Sequence, residues 1–450
     1  MKLKYKLLIV VISIACKVDA QNIGLYVGES LPDIYLNKLI NSTQAKTRTS
    51  DFFNQLLIID FWATTCSGCV HALPHLDTLQ KVFGSKIKIL PVTYEKEDLV
   101  NSFWRKSKFT KHLSLPSVVE DEQLTKYFRH QIIPHEVWIF KGVVVGITNE
   151  EYVNANNINK ILSGEKVNWP VKNDFYSHDQ NKPLFDVPEK SNKVGSTDRY
   201  TAISGYKEKI SLYGTFSGGS GMIRDKQKKT VRTYFINQPI YNSYFFNWVK
   251  ITNVKLVKPG GSDFLPRPNE VIWEVKDKSK YVYDKKYGYS EEWIRRNSIC
   301  FESVRPDIGQ NDAEVTRQLI ADLDSLLNLH VRWEKRKEKV LVLVRTTQTD
   351  NMKSKKALTG YYEDKMKKVG SLYHFRDVGI PIPFNMNQQA SNPYVFDETG
   401  YAGKVDMDLN IASWTDIPAI RKAIAAYGLD LKEEERTVDK FVFSEKDYKK

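Results

Sequence analysis

Up to about residue 168 the chain alternates between two kinds of apolar pattern, and after it the character changes. "QLLIIDFWA", from Gln55, is an unbroken apolar run, the pattern of a central strand buried on both faces. From Cys69 to Phe83 the apolar positions repeat at helical spacing, "KIKILPVTY" reads as a second strand, and Glu97 to Lys106 as a second helix. "HEVWIF" and "GVVVGIT" flank a Lys-Gly turn and predict a hairpin, after which "EEYVNANNINKILSG" predicts a helix ending at Gly164. Strands and helices in this order predict an α/β domain over residues 21–168 with a hairpin at one end.

Residues 169–199 are polar, rich in Asn, Lys, Ser, Asp and Pro, and without periodicity; they read as a linker. Residues 200–450 carry many short β-prone runs, among them "KISLYGTF", "TVRTYFI", "VKITNVKLV", "EVIWEVK" and "KYVYD", which predict a strand-rich α+β domain. The aromatic stretch "YFINQPIYNSYFFNW" reads there as strand core. Two stretches share one layout: "LIADLDSLLNLHVRWEKRKEKVLVLV" from Leu319 and "AIRKAIAAYGLDLKEEERTVDKFVFS" from Ala419. In both, an amphipathic helix precedes an alternating strand, a charged turn and another strand, with Leu329 matching Leu429, Glu334 matching Glu434 and Val342 matching Val442. Two related α-β-β units are expected.

With 450 residues the chain is too long for a single core, and 41% hydrophobic against 27% charged residues is the balance of a soluble globular protein. The net charge of +13 is spread over the whole length without a basic arm, so no nucleic-acid partner is expected. Residues 1–20 combine Lys2, Lys4 and Lys6 with an apolar run from Leu7 to Ala15 and small residues toward Ala20, the pattern of a cleaved secretory signal. A competing reading lipidates Cys16. Either way the protein is expected outside the cytoplasm, in the periplasm or cell envelope, with no transmembrane helix in the mature chain.

Export leaves Cys66, Cys69 and Cys300 in the soluble part, too few for a disulfide scaffold. Cys300, within "SICFESV", is expected in a buried strand. Cys66 and Cys69 are three apart at the start of a predicted helix, where residues i and i+3 are neighbours and two sulfurs can bond. The first sits at the positive end of the helix dipole among free N–H groups, which lowers a thiol pKa from about 8.5 toward neutrality. Cys66 is therefore expected to attack and Cys69 to resolve. Asp60 lies inside an apolar strand, where a buried carboxylate acquires a raised pKa and can take up the proton of Cys69. Trp62 either shields the pair or belongs to the core. Pro134 stands before the strand "HEVWIF" where a cis bond sets its backbone against the disulfide, although trans is the default for any X-Pro bond.

Asp60-Phe61-Trp62-Ala63, Cys66-x-x-Cys69, Pro74 and Ile133-Pro134, in this order, resemble the thioredoxin superfamily. The opening "VGESLPDIYL" and the export signal make the chain similar to TlpA-like envelope thiol:disulfide oxidoreductases. The resemblance implies a thioredoxin fold over residues 21–168, catalytic Cys66 and Cys69, a cis Pro134, protein disulfide clients met by Trp62 and Ile133, a membrane electron donor, and no cofactor. Thr65 and Gly68 stand where the family commonly has Trp and Pro, and Ala72 where some reductases carry a glutamate. The two repeated stretches resemble, more distantly, a domain of unknown function from soil-bacterial envelope proteins, which implies no chemistry. It leaves open a second role in which the larger domain binds an envelope partner and the redox pair only docks or senses. His71 and His75 are four apart near the cysteines, yet Pro74 lies between them and no metal site is expected.

Overall fold

The computed structural model describes residues 24–43, 45–186, 199–210, 219–251, 266–355, 357 and 365–449; the signal stretch and Cys16 lie outside them. The described residues divide into two compact units, the first holding residues up to Ser177 together with Tyr289–Glu292, the second the remainder. No helix among the described residues is long and apolar enough to cross a membrane.

In chain order the first unit contains β1 (Leu39–Ile40), β2 (Leu56–Phe61), α1 (Ser67–Phe83), β3 (Ile87–Val92), α2 (Glu97–Lys106), β4 (Ser117–Val118), β5 (His135–Phe140), β6 (Val143–Thr148) and α3 (Ala155–Leu162). The strands form one sheet in the order β1-β4-β3-β2-β5-β6. Central β2 runs parallel to β3 and antiparallel to β5. Alternation sends Leu56, Ile58 and Trp62 to a face covered by Val70, Leu73 and Leu76 of α1, while Leu57, Ile59 and Phe61 pack on Leu31, Ile34 and Phe128 on the other. Two covered faces are why the run from Gln55 has no polar alternation. Each such fully buried side chain contributes about 1.5–3 kcal/mol by leaving water.

Several sequence expectations are corrected at this level. The helix expected from Glu150 begins only at Ala155: residues 150–152 make a single 3-10 turn, and the Asn154 side chain accepts from Asn157 N–H at 3.1 Å as the cap. Residues 169–177, read as the start of a linker, pack on the first unit. Trp169 lies against Trp138 with ring centroids 4.9 Å apart, and Lys172 N–H donates to the Ile147 carbonyl at 2.9 Å. These contacts are tertiary and leave no period in the sequence.

Further corrections concern the second unit, where "IYNSYFFNWVKI" is a helix (Ile240–Ile251) following a strand that ends at Pro239. Its Tyr244 is buried against Phe443, ring centroids 5.5 Å apart, so packing overrides the β preference of its aromatic residues. Similarly, "KYVYD" lies between two 3-10 turns capped by Asp277 and Asp284. The repeated stretches each give a helix, Asp312–Leu326 and Ile417–Ala425, followed by one unbroken 17-residue strand, Leu329–Arg345 and Leu429–Glu445. The expected charged turns are absent. Ion pairs across the ribbon, Lys335 with Asp439 at 3.0 Å and Lys337 with Glu435 at 2.8 Å, accommodate the charges within continuous strand.

The register of this ribbon is unchanged by a shift of one hundred residues: Leu329 opposes Glu445, Arg345 opposes Leu429, and Lys337 opposes Thr437 at the centre. The first helix packs Leu319 and Leu323 on Leu329, Val331, Phe441 and Phe443 at one end. At the other end, Ile420 and Ile424 pack on Leu429, Leu431, Leu341 and Leu343. Cys300 is fully buried on a strand of a separate four-stranded sheet, its Sγ 3.1 Å from Asn237 Oδ1.

Candidate functional site

Helix α1 follows the buried β2 strand after the short loop 62–66, and Cys66 is its N-cap. The Cys66 sulfur accepts from Cys69 N–H at 3.2 Å, and the two sulfurs form a disulfide with Cα atoms 5.3 Å apart. Cys69 is fully buried while Cys66 is partly exposed, so only Cys66 offers a sulfur to another molecule. The loop entering the helix is held by a residue that the sequence did not single out. Glu95 accepts from Thr64 N–H at 2.7 Å and from the Thr64 hydroxyl at 2.8 Å. Across the site the Ile133–Pro134 bond is cis, and the Ile133 carbonyl oxygen lies 3.9 Å from Cys66 Sγ.

The sheet face that carries α1 holds two buried carboxyl groups instead of one. Asp60, 1% exposed, stands directly opposite Glu136 in the β2–β5 ladder. By alternation both point to the sheet face that carries α1 and Cys69. Asp60 Oδ2 and both Glu136 carboxyl oxygens have no hydrogen-bond partner among the described residues, and an ionised Asp60 disfavours ionisation of the Glu136 it faces. Burial raises the Asp60 pKa to about 7, and burial together with the neighbouring Asp60 carries that of Glu136 well above the ordinary carboxylate range. Glu136 follows Pro134 by two residues in "HEVWIF"; a lone acid in an apolar run was the same signal that marked Asp60.

Other expected site residues fall outside the chemistry. Trp62 is core, with its indole N–H donating to Ser117 Oγ at 3.1 Å, and presents no surface to a client. The apolar surface beside the disulfide is instead the partly exposed Ile133 and the exposed Ile132. His71 and His75 diverge: His71 Nδ1 lies 2.7 Å from the Ser67 carbonyl, His75 Nε2 3.0 Å from that of Val153.

A parallel β3–β2 pair joined by α1, an antiparallel β5–β6 hairpin, a disulfide at the start of α1 and a cis proline facing it define one known architecture. The first unit is thioredoxin-like. The chain is similar to Thioredoxin-like protein YneN of Bacillus subtilis, 24% identical over 100 residues, which are 22% of this chain and 57% of that protein. It thus spans little more than half of that relative's length. No protein-family model matches the chain. Among solved structures, a putative thiol:disulfide interchange protein DsbE from Chlorobium tepidum is 17% identical with a TM-score of 0.27, covering 31% of this chain and 99% of that one. The exposed lipoprotein thioredoxin Etrx1 of Streptococcus pneumoniae is 21% identical, TM-score 0.26, covering 30% and 99%. A putative thiol-disulfide oxidoreductase from Bacteroides vulgatus is 23% identical, TM-score 0.26, covering 31% and 96%.

Proposed function

We propose that this chain is an exported, TlpA-like thiol:disulfide oxidoreductase that works as a reductase on protein disulfides in the periplasm or cell envelope. The reading rests on one observation: the Cys66–Cys69 disulfide stands at the start of α1 with Cys66 partly exposed and Cys69 buried, on the sheet face to which Asp60 and Glu136 point. In the dithiol state the Cys66 thiolate, stabilised by the helix N-terminus, attacks a client disulfide and forms a mixed disulfide while one client sulfur leaves as a thiolate. Ionised Asp60 takes the proton of Cys69, whose thiolate attacks Cys66 Sγ; the second client sulfur leaves and collects a proton. The client is reduced to a dithiol and the chain is left oxidised, to be reset by a dithiol donor at the membrane. Gly68 between the cysteines leaves the loop without a side chain to fix it, and its Cβ position meets nothing within 4 Å.

In the same reading, residues 1–20 are the export signal, 21–168 the exchange domain, with Cys66, Cys69, Asp60 and Pro134 as its catalytic set, and 200–450 a separate domain built on two related helix–strand halves. The symmetric register of the long ribbon supports the last point. The test is insulin reduction by the full chain with dithiothreitol as electron source. Cys66→Ser should abolish turnover, and Cys69→Ser should hold clients as mixed disulfides on Cys66. Unchanged turnover in Cys66→Ser rejects the proposal.

A further inference from the structure

The loop that faces the disulfide is fastened by residues beyond the thioredoxin-like strands and helices. Lys172 and Asp174 are 7% and 4% exposed, and they form a buried ion pair at 2.8 Å. Asp174 Oδ2 accepts the backbone N–H groups of both Gln131 and Ile132 at 2.9 Å. The Lys172 ammonium donates to the Ile132 carbonyl at 2.7 Å and lies 3.2 Å from His135 Nδ1, so both sides of Ile132 and the residue after Pro134 converge on one side-chain pair. All three ammonium donors are thereby used. Facing an ammonium, Nδ1 of His135 must be the acceptor, which places the ring proton on Nε2; burial and Lys172 hold this histidine neutral. The pair is in turn anchored to the edge strand β6, through Lys172 N–H to the Ile147 carbonyl at 2.9 Å.

A buried ion pair contributes little net stability against an apolar replacement of similar volume. What it supplies here is direction: two N–H groups and one carbonyl of the loop fixed within hydrogen-bond geometry, one residue before the carbonyl that faces Cys66. We propose that residues 170–174 form a strap that positions the Ile132–Pro134 loop for protein clients, with Lys172 and Asp174 as positioning residues. The inference rests on the disulfide-exchange reading. A protein client must lie along this loop to present its disulfide to Cys66, whereas a small disulfide needs only the sulfur.

The test compares the full-length wild type with Asp174→Asn and with the double variant Lys172→Met/Asp174→Leu, which removes both charges together and leaves none buried alone. Two substrates are used: insulin, and the small reagent 5,5′-dithiobis(2-nitrobenzoate) reacting with the reduced chain. The strap predicts a drop of about ten- to a hundredfold in kcat/KM for insulin, carried mainly by KM, from the displaced loop. Reaction with the small reagent should stay within about twofold, the reaction of an unaltered Cys66. Equal losses on both substrates, or no loss on insulin in the double variant, overturn the strap while leaving the exchange reading in place. A wild type that reduces neither substrate overturns both.

Discussion

Replacing Asp60 by Asn tests whether the acid on the sheet face that carries α1 is buried and costly when ionised. Its pKa moves from 3.8 to about 7 through burial. A carboxyl whose folded pKa lies above the unfolded one lends stability that is complete below the unfolded pKa and is lost as pH rises through the folded one. At 1.36 kcal/mol per pH unit the full loss is about 4 kcal/mol, of which roughly 2 to 3 kcal/mol falls between pH 5 and pH 8. The amide introduced by Asp60→Asn keeps the volume but cannot ionise. The oxidised full-length wild type should therefore lose roughly 2 kcal/mol more than Asp60→Asn between these two pH values, a difference set by the same linkage. Urea titrations at both values are read by hydrogen exchange of peptides covering Leu56–Phe61, since two compact units preclude one global transition. Equal pH dependence in the two proteins refutes the reasoning. In turnover, Asp60→Asn should slow mixed-disulfide resolution about 10²-fold, the scale of losing a positioned base.

Glu136→Gln removes the neighbouring acid that lowers the Asp60 pKa, so the pH at which mixed-disulfide resolution half-saturates should shift upward; an unchanged profile means the two carboxyls are not coupled. Glu95→Gln leaves the Thr64 N–H and hydroxyl with a neutral acceptor, and should lower the thermal stability of the disulfide loop by about 1–2 kcal/mol, measured by differential exchange at residues 63–66. Leu329→Ala and Leu429→Ala remove side chains at matching positions, each 1% exposed, and should cost about 3 kcal/mol each. A difference of more than about twofold in denaturant unfolding between them speaks against related halves.

How much of this was legible depended on whether the signal was local. The β2 run, the α1 spacing, the hairpin and the placement of Cys66 at a helix start follow from neighbouring residues and are found where the patterns put them. The helix Ile240–Ile251 departs from the expected strand because aromatic density describes burial in a sheet or on a helix equally well. Glu95 escapes a reading of the sequence for a related reason, since it matters through Thr64, a partner far along the chain that no spacing announces. Glu136 carried the same local signal as Asp60, a lone acid in an apolar run, but its pairing with Asp60 across the ladder is tertiary.

The sequence alone determined which sulfur stands at the head of a helix and which strand lies buried behind it, because backbone periodicity and capping are fixed within a few residues. Only the tertiary structure decided what surrounds that sulfur. It set a second carboxyl beside Asp60, a cis proline loop across from Cys66, and a lysine–aspartate pair from an aperiodic segment beneath that loop. Desolvation and hydrogen-bond geometry arise from residues brought together across strands, and these contacts exist only once the sheet has closed.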